Sequence, residues 1–138
     1  MTYTYSICNP EKENIEYRNT PISGNEVLEI AKNHPWIEKL RFSDSLDQHS
    51  IYYNPSLDFT CIENNNSFCL TADYNENENL EFSLWYNRTK KVKILFGILG
   101  EKEKKVVDDI WSISFDESLE YLEDFVNGNY TLIEKLFR

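Results

Sequence analysis

Basic residues are scarce in this chain of 138: fourteen Lys and Arg stand against twenty-four Asp and Glu, a net charge of -10. Phosphates are held by Lys and Arg, so nucleic-acid binding through charge neutralisation is not expected, nor is docking on an anionic membrane. Long apolar runs are missing too. The longest, Ile94–Leu99, is interrupted by Gly97 and falls far short of the ~20 residues a membrane helix needs; it reads as a central strand. The N-terminal residues Met1–Cys8 have neither the basic stretch nor the apolar core of a secretory signal, so a soluble, cytoplasmic protein is expected. Cysteine occurs only three times, as Cys8, Cys61 and Cys69, with no metal-clip spacing. Cys61 and Cys69 stand at hairpin distance and a bridge is conceivable, but without export the expectation is reduced thiols packed as small apolar groups.

What is present is enough apolar and aromatic residue to build one core, with no repeat, linker or low-complexity tail. A single domain over 1–138 is expected. Tyr3, Tyr5 and Ile7 alternate with Thr4 and Ser6, the pattern of a half-buried strand. A polar stretch follows through Asn19. Ser23-Gly-Asn-Glu26 is a capping box, opening a helix that carries Val27, Ile30, Ala31 and His34 on one face and stops at Pro35. Strands are expected at Ile37–Phe42, Ser50–Tyr53, Phe59–Ile62, Phe68–Tyr74, Leu80–Asn87, Val92–Leu99 and Val106–Ile113, separated by short Asn-rich turns at hairpin spacing. A helix from about Asp116, with Leu119, Leu122, Phe125 and Val126 on one stripe, ends at Asn127-Gly128, and a short helix Tyr130–Phe137 follows. The expected fold class is α+β: an antiparallel β-sheet meander with helices packed on one face and helices at the C-terminus.

No catalytic constellation, metal site or cofactor is expected. His34 reads as a partly buried histidine at a helix C-terminus, where a positive imidazole would meet the negative end of the dipole. His49 lies in a polar loop with Asp44 and Asp47. Asp108 and Asp109 are adjacent on a strand, so they point to opposite faces and cannot work as a pair. Asp73–Asn79 starts like a calcium loop, but Glu78 stands where the sharp turn needs Gly and Leu84 where the bidentate Glu should be. It reads as an acidic hairpin tip. Between Arg88 and Lys105 seven basic residues outnumber two acidic ones at the two ends of the apolar strand, where they serve as gatekeepers against edge pairing.

Two features point to a partner. Asp116, Glu117, Glu120, Glu123 and Asp124 gather on about a third of the helix circumference, opposite the apolar stripe, with no Lys or Arg among them. The dipole accounts for Asp116 and Glu117 in the first turn, but Glu120, Glu123 and Asp124 lie beyond its reach. In Leu80–Tyr86, Leu80, Phe82, Leu84 and Tyr86 share one face, and Trp85 falls on the other with Glu81 and Ser83. A Trp on a polar sheet face is a common interface anchor, although a second covering layer would also account for it. The expected partner-binding residues are therefore Trp85, Asp116, Glu117, Glu120, Glu123 and Asp124.

In size, acidity, Asn/Lys/Glu-rich texture, element order and the strand-to-helix segment Ile113–Leu122, the chain resembles the small cytoplasmic immunity proteins of bacterial toxin–immunity pairs, contact-dependent inhibition systems included. That resemblance implies a non-enzymatic inhibitor, made beside a cognate protein toxin and bound tightly to it, with a basic nuclease-type effector as the natural target of an acidic surface. The alternatives are a small-molecule-binding or enzymatic domain with an aromatic pocket between sheet and helix, and a phage-type acidic inhibitor of a host DNA-binding protein.

Overall fold

Alternation along the strands produces a sheet with two unlike faces. The structure, a computed structural model, describes residues 1–93 and 101–137. Its strands are β1 (Thr2–Cys8), β2 (Glu16–Ser23), β3 (Ser56–Cys61), β4 (Ser67–Tyr74), β5 (Leu80–Lys93) and β6 (Glu101–Ile113), and its helices are α1 (Gly24–Asn33), α2 (Trp36–Ser45), α3 (Phe115–Val126) and α4 (Tyr130–Leu136). The six strands form one antiparallel sheet in the order β2-β1-β3-β4-β5-β6. β3 to β6 are the expected meander, and β1 is inserted between β2 and β3.

One face carries Tyr3, Leu57, Phe59, Cys61, Phe68, Leu70, Ala72, Phe82, Leu84 and Tyr86, all buried. Each such Leu or Phe contributes ~1.5–3 kcal/mol by leaving water. The four helices cover this face. Phe125 of α3 packs on Tyr3, Phe68 and Tyr86, with ring centroids 5.8, 5.6 and 6.4 Å away. Trp36 of α2 meets Phe82 edge-on at 5.0 Å, and Tyr130 of α4 stacks on Tyr86 at 6.2 Å. α1 passes close to α3: a Cβ at Gly24 would lie 3.2 Å from Val126 Cβ, a tighter approach than most side chains accept. The α+β class with helices on one face is thus observed. Among the described residues no helix is long and apolar enough to cross a membrane.

The local signals for helix ends are met. Ser23 Oγ accepts from the Glu26 N–H at 3.2 Å, and Ser114 Oγ likewise from the Glu117 N–H at 3.2 Å, each satisfying a first-turn donor. Gly128 ends α3 at φ +74°, a left-handed conformation that costs glycine little.

Four expectations are corrected. Ile37–Phe42 is not a strand but part of α2. Trp36, Leu40 and Ser43 recur at helical spacing and are buried, and Pro35 caps the new helix instead of opening an extended segment. The Trp36 indole N–H donates to the Ala31 carbonyl at 2.9 Å, pinning the corner between α1 and α2. Ser50–Tyr53 is no strand either, only the end of a 3₁₀ turn (Gln48–Ser50) and an unpaired segment. Glu16–Ser23, read as polar chain through Asn19, is an edge strand, held by its ladder to β1 while most of its side chains stay exposed. β5 runs unbroken from Leu80 to Lys93, so the break expected after Asn87 is absent. Residues 94–99 of the expected strand Val92–Leu99, with its apolar run, lie outside the described residues.

All three cysteines are free. Cys61 faces the helices, whereas Cys69, opposite Asp58, faces the other way. A bridge between them would have to pass through the sheet.

β5 and β6 continue to pair past Asn87, where the ladder to β4 ends. At that point Arg88 is 9% exposed and held by two carboxylates, Asp108 Oδ2 at 2.6 Å and Glu134 Oε1 at 2.9 Å, with its guanidinium 5.0 Å from the centre of the Tyr86 ring. The second contact is an oblique ion pair without hydrogen-bond alignment at Nε. This cluster ties α4 to the hairpin. Arg88→Ala is expected to lower stability by ~2–4 kcal/mol in urea unfolding, since it removes both pairs and the cover over Tyr86. Arg88→Met, which keeps the apolar stem, should lose less. Equal stabilities for Arg88 and its Ala variant would exclude the tie.

Candidate functional site

The second face of the sheet has no helix on it among the described residues. Reading across the register, Ser6, Asp58, Cys69, Trp85 and Asp109 form one row from β1 to β6. The next row holds Ser56, Thr71 and Ser83, and a third places Asp73 directly opposite Glu81. These rows line a cavity of about 400 Å³ bordered by Asp58, Asp73, Glu81, Trp85, Trp111 and Ser112. That volume is at the lower end of those that hold a small ligand or a side chain.

Trp111 is 61% exposed, and its ring meets that of Trp85 edge to face at 5.7 Å. Its indole N–H donates to Asp109 Oδ2 at 2.7 Å, and that of Trp85 donates to Ser83 Oγ at 3.2 Å, so hydrogen bonds hold both rings in place. A bulge puts Trp111 there. Between the pairs Leu84↔Ile110 and Phe82↔Ile113, β6 has two residues opposite the single Ser83, and Ser112 takes φ +62°. The extra residue lets Ile110 and Ile113, three apart, both join the core while Trp111 and Ser112 both line the cavity. Sequence reasoning missed Trp111. The signal was the odd spacing of Ile110 and Ile113, which regular alternation cannot place on one face.

Asp58 is the most perturbed acid on this face. Its Oδ1 is buried without a hydrogen-bond partner, and burial pushes the carboxyl from its ordinary 3.8 up to about 6. Across on β4, burial, reinforced by Asp58, pushes the Cys69 thiol up to about 12, so it stays neutral and hydrogen-bonds weakly with Thr71 Oγ1 at 3.7 Å.

The expected site residues divide between two surfaces. Trp85 lies on the uncovered face, half-buried. Asp116, Glu117, Glu120 and Glu123 are exposed on α3 and Asp124 is partly so, all on the far side of the sheet. Among the described residues none of the five is in an ion pair. One flat contact cannot include both groups. Asp108 and Asp109 point apart as expected, one to Arg88 and the other to Trp111. The Asp73–Asn79 tip is a tight turn in which Asn75 Oδ1 accepts from the N–H groups of Asn77 and Asn79, and Glu78 sits at φ +61°. His34 departs from expectation: burial and the nearby Lys39 push it down to about 4, so at neutral pH the imidazole is uncharged and offers nothing to the helix dipole. It packs edge-on to Trp36 at 4.5 Å.

The carboxyl of Asp58 titrates higher folded than unfolded. Above pH 6 both states are ionised and the folded one bears the burial cost; as pH falls through about 6 toward 4 the folded state takes up the proton first and regains stability. Asp58→Asn removes that cost. The variant should exceed the parent in stability by up to ~3 kcal/mol at pH 7, with the difference fading to near zero at pH 4. Urea unfolding at the two pH values checks this, and a pH-independent difference would contradict it.

No family model, curated protein or solved structure matches this chain.

Proposed function

We propose that the chain is a non-enzymatic, immunity-type inhibitor, cytoplasmic in location, that neutralises a basic protein partner by binding it on the uncovered sheet face. The observation that carries this reading is the Trp85–Trp111 pair, on a polar face whose carboxylates Asp58, Asp73, Glu81 and Asp109 surround it. Large, hydrogen-bonded aromatic side chains supply contact area at little entropic cost, and carboxylates around them select a positively charged surface. The partner class that best suits the charge is a nuclease-type toxin, whose active site is basic because it holds phosphates. On this reading the α3 carboxylates act at a distance. Their field speeds encounter with a basic partner without contributing to the docked contact.

A second reading, small-molecule binding, rests on the cavity itself. That cavity lies on the open face and not between sheet and helix, where the sequence led us to expect it.

The reading is tested by capture from the source organism's lysate with tagged parent and Trp111→Ala chains. A stoichiometric basic protein, retained by the parent through a moderate salt wash and lost from the variant, is the expected result. With the purified partner, Trp111→Ala should weaken binding by at least ~2 kcal/mol, about thirtyfold, with little change in thermal stability. Reversing Glu120, Glu123 and Asp124 to Lys should slow association and leave dissociation unchanged. Capture insensitive to Trp111 would overturn the assignment of the face.

A further inference from the structure

We propose that the cavity is a receptor for one arginine side chain of the partner, its guanidinium lying against the Trp85–Trp111 pair and ion-paired to Asp58, with Asp73 and Glu81 closing the far end. This inference rests on the reading that the uncovered face meets a basic protein, and it names what that protein inserts.

Two features of the cavity call for a cation, its carboxylates and its aromatic wall. Three carboxylates line it, and no Lys or Arg is among its lining residues that the structure describes. Asp73 and Glu81 stand directly opposite each other on adjacent strands, an arrangement that destabilises a sheet unless something positive lies between or beside them. Neither is in an ion pair among the described residues. Asp58 lines the cavity, and its Oδ1 is buried with no hydrogen-bond partner, so no protein donor neutralises this carboxylate at that oxygen. The two indoles present an aromatic wall, and Trp111 keeps 61% of its surface open.

The shape selects among cations. Among the described residues no three acidic, His or Cys side chains are grouped closely enough to hold a metal ion, so the negative charge is too spread for a point ligand. Asp58 on β3 and Trp85 on β5 are separated by one intervening strand, roughly 10 Å between backbones, and Glu81 lies about 13 Å along β5 from Trp85. A planar guanidinium can pair with Asp58 at the Trp85 end while its stem runs toward Asp73 and Glu81, which it does not reach. It stacks on aromatic faces, pairs with carboxylates through two parallel N–H bonds, and gives up its water more readily than an ammonium does. Lysine offers only a compact, strongly hydrated charge.

The test uses the full chain and three probes: N-acetyl-arginine methylamide and the corresponding lysine and norleucine amides, titrated at matched ionic strength. Binding is followed on the indole N–H signals of Trp85 and Trp111 by NMR, with buried Trp36 as internal control. The expected result is a saturating shift of Trp85 and Trp111, and not of Trp36, with the arginine probe. Lysine should bind several-fold more weakly and norleucine should produce no saturating shift. Asp58→Asn should weaken arginine binding about tenfold. The inference is overturned if norleucine or lysine equals arginine, if Asp58→Asn leaves arginine binding unchanged, or if no probe moves the two signals. The larger reading has its own failure, capture insensitive to Trp111. An empty cavity with Trp111-dependent capture would sink the arginine receptor alone.

Discussion

The docking of α3 on the sheet is the constraint from which the other features follow. Phe125 reaches Tyr3, Phe68 and Tyr86, and Leu122 is buried beside it, so residues from strands far apart in the chain are closed under one helix. Because strand side chains alternate, every residue committed to that contact sends its neighbours to the other side. The burial of Leu84 and Tyr86 is therefore also what turns Trp85 outward, and the burial of Leu57 and Phe59 is what leaves Asp58 on the opposite face. With all the described helices on one side, the second face takes its character from the residues that the core did not use. Arg88, held by Asp108 and Glu134, secures the arrangement at the end where the sheet narrows to the β5–β6 hairpin.

How far this was legible in the sequence depended on whether a feature was local. Ser23 with Glu26, Pro35, and Asn127-Gly128 act through backbone geometry within a few residues, and their positions were readable to within a residue or two. The alternation of Leu80 to Tyr86 also sufficed to separate Trp85 from the core. α2 was misread because Ile37–Phe42, taken as a short apolar run, has no clear period; only with Trp36 and Ser43 included does a helical stripe emerge, and Trp36 earns its place through a tertiary contact with Phe82. β2 carried too little apolar residue to register as a strand, since an edge strand exposed on both faces is stabilised by its hydrogen-bond ladder and not by burial. Trp111 was lost for a subtler reason. A bulge changes which face a residue joins, and that change is made by pairing with a strand elsewhere in the sequence.

Charge follows the same division. Most of the acids are dispersed, but two sets are grouped: the row on α3 and the carboxylates around the cavity, none of which is in an ion pair among the described residues. On α3 the side chains are well hydrated, and their mutual repulsion is small because each is free to move away. Around the cavity they are held. Asp73 and Glu81 are fixed opposite each other by the β4–β5 register, and Asp58 is fixed with one oxygen out of reach of water. Like charges on the two surfaces thus differ in their setting: the first group is mobile and hydrated, and the second is fixed on the sheet.

Costs in a folded chain are informative by where they collect. Asp58 is a carboxyl whose ionised form bears a burial cost, Asp73 and Glu81 repel each other across a ladder, and Ser112 holds a left-handed backbone conformation of order 1 kcal/mol less favourable than the extended one. Elsewhere the Trp36 indole is answered by Ala31, the Tyr3 hydroxyl by the Val126 carbonyl at 3.0 Å and the Arg88 charge by two acids, whereas His34 Nε2 is buried without a partner. Asp58, Asp73, Glu81 and Ser112 all line one cavity, while the left-handed Asn65 and Glu78 and the unpartnered His34 Nε2 lie elsewhere. The cavity thus sets Asp58, Asp73, Glu81 and Ser112 beside two hydrogen-bonded tryptophans, the grouping on which the proposed function rests.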